Sequence, residues 1–415
     1  MQIHIPPQVE AVLQKLDVSG HEAYVVGGCV RDTILGMEPN DWDVTTSALP
    51  NEIELALNGY QCIKTGIQHG TLTVLTDYMP VEVTSYRIDG RYSDNRHPDS
   101  VRFTNSLKED LSRRDFTVNA LAYNHAEGII DCFGGIEDLK NRTIRCVGVP
   151  DLRFQEDGLR ILRALRFSAV LDFTIEQGTS SGILKNCALL RNIARERINS
   201  EFTKLLCGNA EGILRKYRPV FEQFIPEIRF ITDAGVWEHT MSTVTAVKAD
   251  PVLRLTMLLR SQSAETAGEI LRRLRYDSGM INTVVRLVEL QQLPLPANEK
   301  ALLRLLNQYG EKTLRCLFKM KAADRKAQDP AVTGEPEKLK AAEAMLENVL
   351  TRGLCFSLKD LQLKGSDLLS LGIPQGAEIG RLLSFLLDAV MDGKCPNQHD
   401  SLIKYVRSIK DKYHD

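Results

Sequence analysis

The 415-residue chain has no Cys-x-x-Cys pair, no histidines at metal-ligand spacing and no apolar run near the ~20 residues that span a bilayer. Its nine cysteines stand singly, which excludes a zinc ribbon and a disulfide framework and fits reduced thiols. The opening MQIHIPPQVEAVLQKL lacks the basic, apolar, small-residue layout of a secretory signal. The reading is a cytoplasmic protein with no membrane partner. A charge excess of one sign is missing too, since 52 Lys and Arg face 54 Asp and Glu. That excludes a chain basic throughout, so any site for a polyanion must be local. Residues 141–200 are the first place to look, with ten Arg and Lys against six Asp and Glu.

Internal repeats and low-complexity tracts are also absent, and the length allows about two to four domains. The first third alternates strand and helix patterns. AYVVGGCVRDTIL reads as strand, turn and helix, while DWDVTT, GTLTVLTD and PVEVTSYRI read as strands rich in β-branched residues. From about Leu139 the pattern is almost wholly helical, with leucine-rich amphipathic runs such as LRILRALRFSAVL and PVLRLTMLLR. AQDPAVTGEPEK breaks that pattern and reads as a separator between two helices.

The densest chemistry lies in GGCVRDTILGMEPNDWDVTTS, residues 27–47. On a strand, Asp41 and Asp43 share one face and Trp42 points into the protein. Two like charges side by side are unfavourable unless a cation lies between them, and a divalent metal is the usual candidate. A turn aspartate followed by a strand-edge aspartate gives the same letters. Gly27 and Gly28 follow the apolar AYVV and precede a helix, so backbone there can approach a phosphate closely. Arg31 either contacts that phosphate or makes a surface ion pair with Asp32.

GGCVRD…DWD resembles the first motif of class II tRNA nucleotidyltransferases and bacterial poly(A) polymerases, members of the polymerase-beta nucleotidyltransferase superfamily. RRDFTVNALAY (113–123), DCFGG (131–135), EDGLRILRALRF (156–167) and ARERINSE (194–201) follow in that family's order. Cys132 stands where the family usually has proline, which touches turn rigidity and not chemistry. The resemblance implies an α+β fold: a polymerase-beta-type nucleotidyltransferase head at 1–139, then an all-helical neck (140–206), body (207–328) and tail (329–415). Head and neck would hold the nucleotide, with base recognition in the neck. The remainder would cradle tRNA by charge and shape.

The implied activity is template-independent addition of C, C and A to tRNA 3′ ends from CTP and ATP, with Mg2+ on Asp41 and Asp43. No obligate protein partner is implied. Arg114, Asp115 and Asn119 would contact triphosphate and ribose; a capped helix with a basic first turn is the plain alternative. Asp157 and Arg160, one turn apart on a continuous helix, would place their heads in one plane. A carboxylate accepting from an amino group beside a guanidinium donating to a ring nitrogen fits cytosine and adenine and rejects uracil and guanine. An ordinary salt bridge is the competing reading. Arg163 and Arg166 would hold phosphates or the base-reading pair, and Glu196, Arg197 and Glu201 would brace the helix before them.

RIDGRYSDNRHPDSV (87–101) resembles the flexible loop of enzymes that add the terminal A, with Arg87, Asp89, Gly90 and Arg96 as its candidate residues. Glu82 is a candidate third carboxylate or a loop anchor, and GIQHGT (66–71) a tight turn beside the site. WEHT, with His239, resembles the start of a His-Asp phosphohydrolase domain but lacks its later His-Asp pair, so it reads as scaffold. GIPQGAEIGRLL resembles the family's tail, its glycines preceding a helix start that can grip an RNA phosphate. An A-only adding enzyme and a poly(A) polymerase are the alternatives.

Overall fold

The computed structural model describes residues 2–90, 100–328 and 337–410. The chain forms two units, the first comprising residues 1–241 with 270–276, the second 242–269 with 277–415.

The first unit begins with helix α1 (Pro7–Val18), started by a proline and burying Val9, Val12, Leu13 and Leu16 along one face. Strand β1 (Ala23–Val26) is buried at every position, as a central strand of four apolar residues must be. Helix α2 (Gly28–Ile34) follows at once. Strand β2 (Asp43–Thr46), helix α3 (Pro50–Ala56) and strands β3 (Gln61–Gly66), β4 (Thr71–Leu75) and β5 (Pro80–Ser85) complete the first half of the head. β6 (Arg87–Asp89) pairs antiparallel with β7 (Val101–Phe103) in a separate two-stranded sheet. Helix α4 (Leu107–Ser112) and strands β8 (Leu121–Asn124) and β9 (Gly128–Asp131) follow.

Seven strands form one mixed sheet in the order β3-β4-β5-β2-β1-β8-β9. The β2–β5 pair is parallel and the other neighbours are antiparallel. Tyr24, Val26, Tyr86, Leu111, Ala120, Ala122 and Val147 pack into a core cluster of buried side chains. That core fixes the end of β1 relative to α4, and so fixes the two segments that carry the site.

Helices α5 (Gly135–Lys140), α6 (Pro150–Glu156), α7 (Leu159–Leu171), α8 (Gln177–Asn186) and α9 (Arg195–Leu206) continue the unit. Among the described residues, the region after the head is helical apart from one parallel pair of two-residue strands, β10 (Thr143–Ile144) and β11 (Thr174–Ile175). The second unit is built of helices, among them Pro251–Leu259, Ser278–Leu290, Glu299–Tyr309, Ala377–Met391 and His399–Lys410. Helices Glu311–Gln328 and Glu337–Thr351 lie on either side of the expected separator, most of which is outside the described residues.

Two local expectations are corrected. Asp41 is not on the strand, because β2 begins at Asp43; Trp42 is nevertheless buried, as the alternation demanded. EDGLRILRALRF is not one helix. α6 ends at Glu156, Asp157 has extended backbone (φ −137°, ψ 106°), and α7 starts at Leu159.

Candidate active site

The turn from β1 into α2 sets the geometry. Gly27 has φ +86°, and a Cβ there would lie 2.9 Å from Nη1 of Arg114. The positive φ calls for glycine, and the missing Cβ leaves the room that the Arg114 guanidinium occupies. At Gly28 a Cβ would meet only ordinary contact at 3.7 Å, so the steric demand falls on the first glycine of the pair. Arg114 is thereby seated against the turn.

Register brings the carboxylates together. Asp43 pairs with Val26, the last residue of β1, and with Glu82 across the parallel β2–β5 pair. Burial pushes the Asp43 carboxyl up, Arg114 pulls it back, and the charges of Asp41 and Glu82 push it up again, to about 6. Asp41 and Glu82 are both exposed. The result is three acids around one end of β2, with the Arg114 cation nearby.

A chain of buried polar contacts runs away from this point. Arg31 is only 8% exposed; its Nε and Nη2 contact Asp32 at 2.8 and 2.7 Å, and its Nη1 donates to Oδ1 of Asn119 at 2.6 Å. The pair with Asp32 is therefore buried and not a surface ion pair. Asn119 donates in turn to Asp115 (3.1 Å), and Asp115 receives Nε and Nη2 of Arg163, each at 2.7 Å. Burial pushes the Asp115 carboxyl up, but Arg163, Asn119 and Arg160 outweigh it and hold it at about 2. Glu201 takes Arg166 at 2.6 Å and approaches Arg163 at 3.8 Å. The guanidiniums of Arg166, Arg31 and Arg163 lie 3.9, 4.9 and 5.4 Å from the Phe167 ring centroid.

Asp157 and Arg160 are not paired with each other. Asp157 accepts from Arg197, Nη2 at 2.8 Å and Nη1 at 3.4 Å, and from the Leu159 amide at 3.0 Å. Arg160 contacts Glu156 at 2.6 Å and donates to the carbonyls of Arg153 (3.4 Å) and Arg113 (3.0 Å). Three of the five guanidinium N–H groups are thus engaged and two are left to donate. The break at Asp157 is the physical reason for the altered pairing, since the i,i+3 geometry holds only within a continuous helix. Of the expected braces, Arg197 and Glu201 serve as such, whereas Glu196 is exposed and reaches only Arg275, at 3.8 Å.

The base of the loop segment is anchored. Arg87 contacts the His69 carbonyl and Asp89, and Asp89 lies 4.0 Å from Arg113. Gly90 is exposed; Arg96 lies outside the described residues. His239 falls in helix Ala234–Ala246, and Gly376, with φ +151°, precedes helix Ala377–Met391 without a side-chain cap.

Sequence reasoning missed Asp110. Its fully buried carboxylate receives Thr45 Oγ1 (3.0 Å), the Arg87 amide (3.3 Å) and Arg113 (2.8 Å), with Arg114 at 3.9 Å. The available signal was an acid three and four residues before two arginines at the end of a helix.

The family model described as "Poly A polymerase head domain" matches residues 23–145, "Probable RNA and SrmB-binding site of polymerase A" matches 172–229, and "tRNA nucleotidyltransferase domain 2 putative" matches 251–406. The chain is 34% identical over 402 residues to the CCA-adding enzyme of Limosilactobacillus fermentum, covering 95% of this chain and 94% of the relative. With the CCA-adding enzyme of Levilactobacillus brevis it shares 35% identity over 417 residues, 97% and 98% of the two chains. The chain belongs to the CCA-adding enzyme family. The crystal structure of the Bacillus stearothermophilus CCA-adding enzyme in complex with CTP superposes with a TM-score of 0.74 at 28% identity, covering 98% of this chain and all of that one.

CCA-adding enzymes are tRNA nucleotidyltransferases that depend on a divalent metal. Among the described residues no group of three or more His, Cys, Asp and Glu side chains is arranged to hold an ion by itself. Magnesium-type sites need only one or two carboxylates, the substrate's phosphates supplying further ligands. Asp41 and Asp43 fit that pattern, because a cation relieves the burial and like-charge repulsion that push Asp43 up. Among the described residues no helix is long and apolar enough to cross a membrane.

Proposed function

We propose that this chain adds C, C and A in turn to the 3′ end of tRNA, with CTP and ATP as donors and pyrophosphate as leaving group. The tRNA 3′ hydroxyl attacks the α-phosphate, and the reaction runs in the cytoplasm. The observation that carries the reading is Asp43 at the start of β2, facing the Gly27 turn, with Asp41, Glu82 and Arg114 around it.

Asp41 and Asp43 would hold Mg2+, with Glu82 as a third acid nearby. When bound, Mg2+ supplies charge neutralisation at the phosphates and a more acidic attacking hydroxyl. Arg114 and the Gly27–Gly28 turn receive the triphosphate. Asp115 and Asn119, fixed by Arg163 and Arg31, present polar groups to the ribose. Asp157 accepts from the exocyclic amino group of cytosine or adenine while Arg160 donates to the adjacent ring nitrogen. Uracil and guanine offer the reverse pattern and leave both groups unpaired, so selection needs no template. Arg166 and Glu201 keep Arg163 in place. In this reading the head (1–139) and neck (140–206) carry the chemistry, while the body (207–328) and tail (329–415) carry the tRNA.

The test uses tRNAs ending before CCA, after C and after CC, each incubated with CTP or ATP alone and with both. CTP alone is expected to complete CC, and ATP to extend only the CC-ended tRNA. Extension by A alone, with no C addition, would make the chain an A-adding enzyme. Long A tails on unrelated RNA would make it a poly(A) polymerase.

A further inference from the structure

Helix α7 carries a single aromatic residue, Phe167, which is buried at 5% exposure. Leucine has the better helix propensity and fills most of the same volume, so packing alone does not call for a ring here. What the ring adds is a face of negative potential. Arg166, Arg31 and Arg163, at 3.9, 4.9 and 5.4 Å from its centroid, all lie within the ~6 Å over which a guanidinium feels that face. Three like charges so close repel one another, and each has an acid of its own: Arg31 meets Asp32 at 2.7 Å, Arg163 meets Asp115 at 2.7 Å and Arg166 meets Glu201 at 2.6 Å. The ring is what all three share. Phe116, the residue after Asp115, packs nearly at right angles to it, with centroids 5.8 Å apart and planes at 79°.

Two of these arginines reach past the ring to the residues assigned to the ribose. Arg163 gives Asp115 two N–H groups, and Arg31 donates through Nη1 to Oδ1 of Asn119 at 2.6 Å. Nδ2 of Asn119 donates in turn to Asp115 at 3.1 Å. Together the last two bonds settle which way the amide points. Turned over, it would set its NH2 against the Arg31 donor and its oxygen against the Asp115 carboxylate. In the sense that Arg31 imposes, the amide keeps one N–H and one oxygen lone pair to offer. Arg31 comes from α2 and Asn119 from the short turn Thr117–Asn119, so nothing in the local chain joins them.

We propose that Phe167 is a positioning residue for sugar selection: its ring holds the guanidiniums of Arg31 and Arg163, and through them the Asn119 amide and the Asp115 carboxylate, in the arrangement that meets a ribose 2′-hydroxyl. Ribonucleotide and deoxyribonucleotide differ there by that one hydroxyl, so telling them apart needs a polar group already fixed where it will lie. An Arg31 released from the ring lets the amide turn over, and the match to the hydroxyl is lost. Base choice rests on Asp157 and Arg160 and is left alone. The inference rests on the reading of Asp115 and Asn119 as ribose contacts, and adds the residue that keeps both in place.

The experiment measures kcat/KM for CTP, dCTP and UTP on tRNA lacking CCA, with three full-length proteins: the parent, Phe167→Leu, and a protein carrying a trifluorinated phenylalanine at position 167. The fluorinated ring keeps its shape while its face loses the negative potential that draws a cation, so it separates cation binding from packing. Phe167→Leu is expected to lower the CTP-to-dCTP ratio about tenfold or more, and the fluorinated ring about fivefold, with Tm of the fluorinated protein close to the parent's. The CTP-to-UTP ratio should stay at the parent value in both. A CTP-to-dCTP ratio that the fluorinated ring leaves unchanged would overturn the proposal, whatever Phe167→Leu does, because the ring would then serve packing alone. An equal fall of both ratios would overturn it too, by showing a general distortion of the pocket. A parent that adds C from CTP and dCTP equally well would remove the ribose reading of Asp115 and Asn119 itself, and the role of Phe167 with it.

Discussion

Arg197 donates to both carboxylate oxygens of Asp157, at 2.8 and 3.4 Å, across 40 residues of sequence. With the Leu159 amide at 3.0 Å, the pair fixes a carboxylate in the gap between two helices. Asp157→Ala removes the acceptor for an exocyclic amino group and leaves Arg160 donating alone. The ratio of kcat/KM for CTP to that for UTP, on tRNA lacking CCA, is then expected to fall roughly fivefold to 150-fold, equivalent to about 1–3 kcal/mol. An unchanged ratio would mean that Asp157 only joins α6 and α7 to α9.

Metal binding has a readout that needs no turnover. Because burial and the neighbouring acids raise Asp43 to about 6, its ionised form opposes folding at pH 8 and not at pH 4. Asp43→Asn is therefore expected to raise Tm by a few degrees at pH 8 in the absence of metal. Mg2+ should raise the parent's Tm and leave the variant's almost unmoved. Equal Mg2+ shifts in the two proteins would place the ion elsewhere.

Asp115 behaves in the opposite sense. Its folded value of about 2 lies below the ordinary 3.8, so its stabilising contribution is fully present above about pH 4.5 and is lost as pH falls toward 2. The stability gap between parent and Asp115→Asn, measured by urea unfolding, should include a part on the order of 2 kcal/mol that is steady from pH 7 to about 4.5 and shrinks below that. A gap that does not vary with pH would mean that Arg163 does not favour the charged carboxylate.

How far the sequence could be read depended on whether partners were near along the chain. The Gly27 turn, the burial of Trp42 and the acids around β2 were legible, because a strand's period of two and a glycine pair between strand and helix are local signals. Asp157 was misplaced on a helix because its i,i+3 spacing to Arg160 matches a continuous helix, while the true partner, Arg197, comes from α9. Asp110 was only half legible: its spacing to Arg113 and Arg114 is local, but Thr45 and the Arg87 amide reach it only through the fold. Arg163 and Arg166 share a helix with Phe167 and are legible together, yet Arg31 joins them on that ring from α2. Tertiary register created these contacts, and spacing alone does not encode it.

Single-turnover addition of CTP to tRNA lacking CCA, measured beside tRNA binding for the parent, Asp41→Ala and Asp43→Ala, tests the central claim most directly. Loss of a ligand to a metal that supplies several kcal/mol of charge stabilisation should slow addition by about a hundredfold or more. Fold and tRNA affinity should stay close to those of the parent, because Asp41 is exposed and Asp43 lies outside the apolar core cluster. Near-parent rates in either variant, with tRNA still bound, would contradict the assignment of these two carboxylates to the reacting centre.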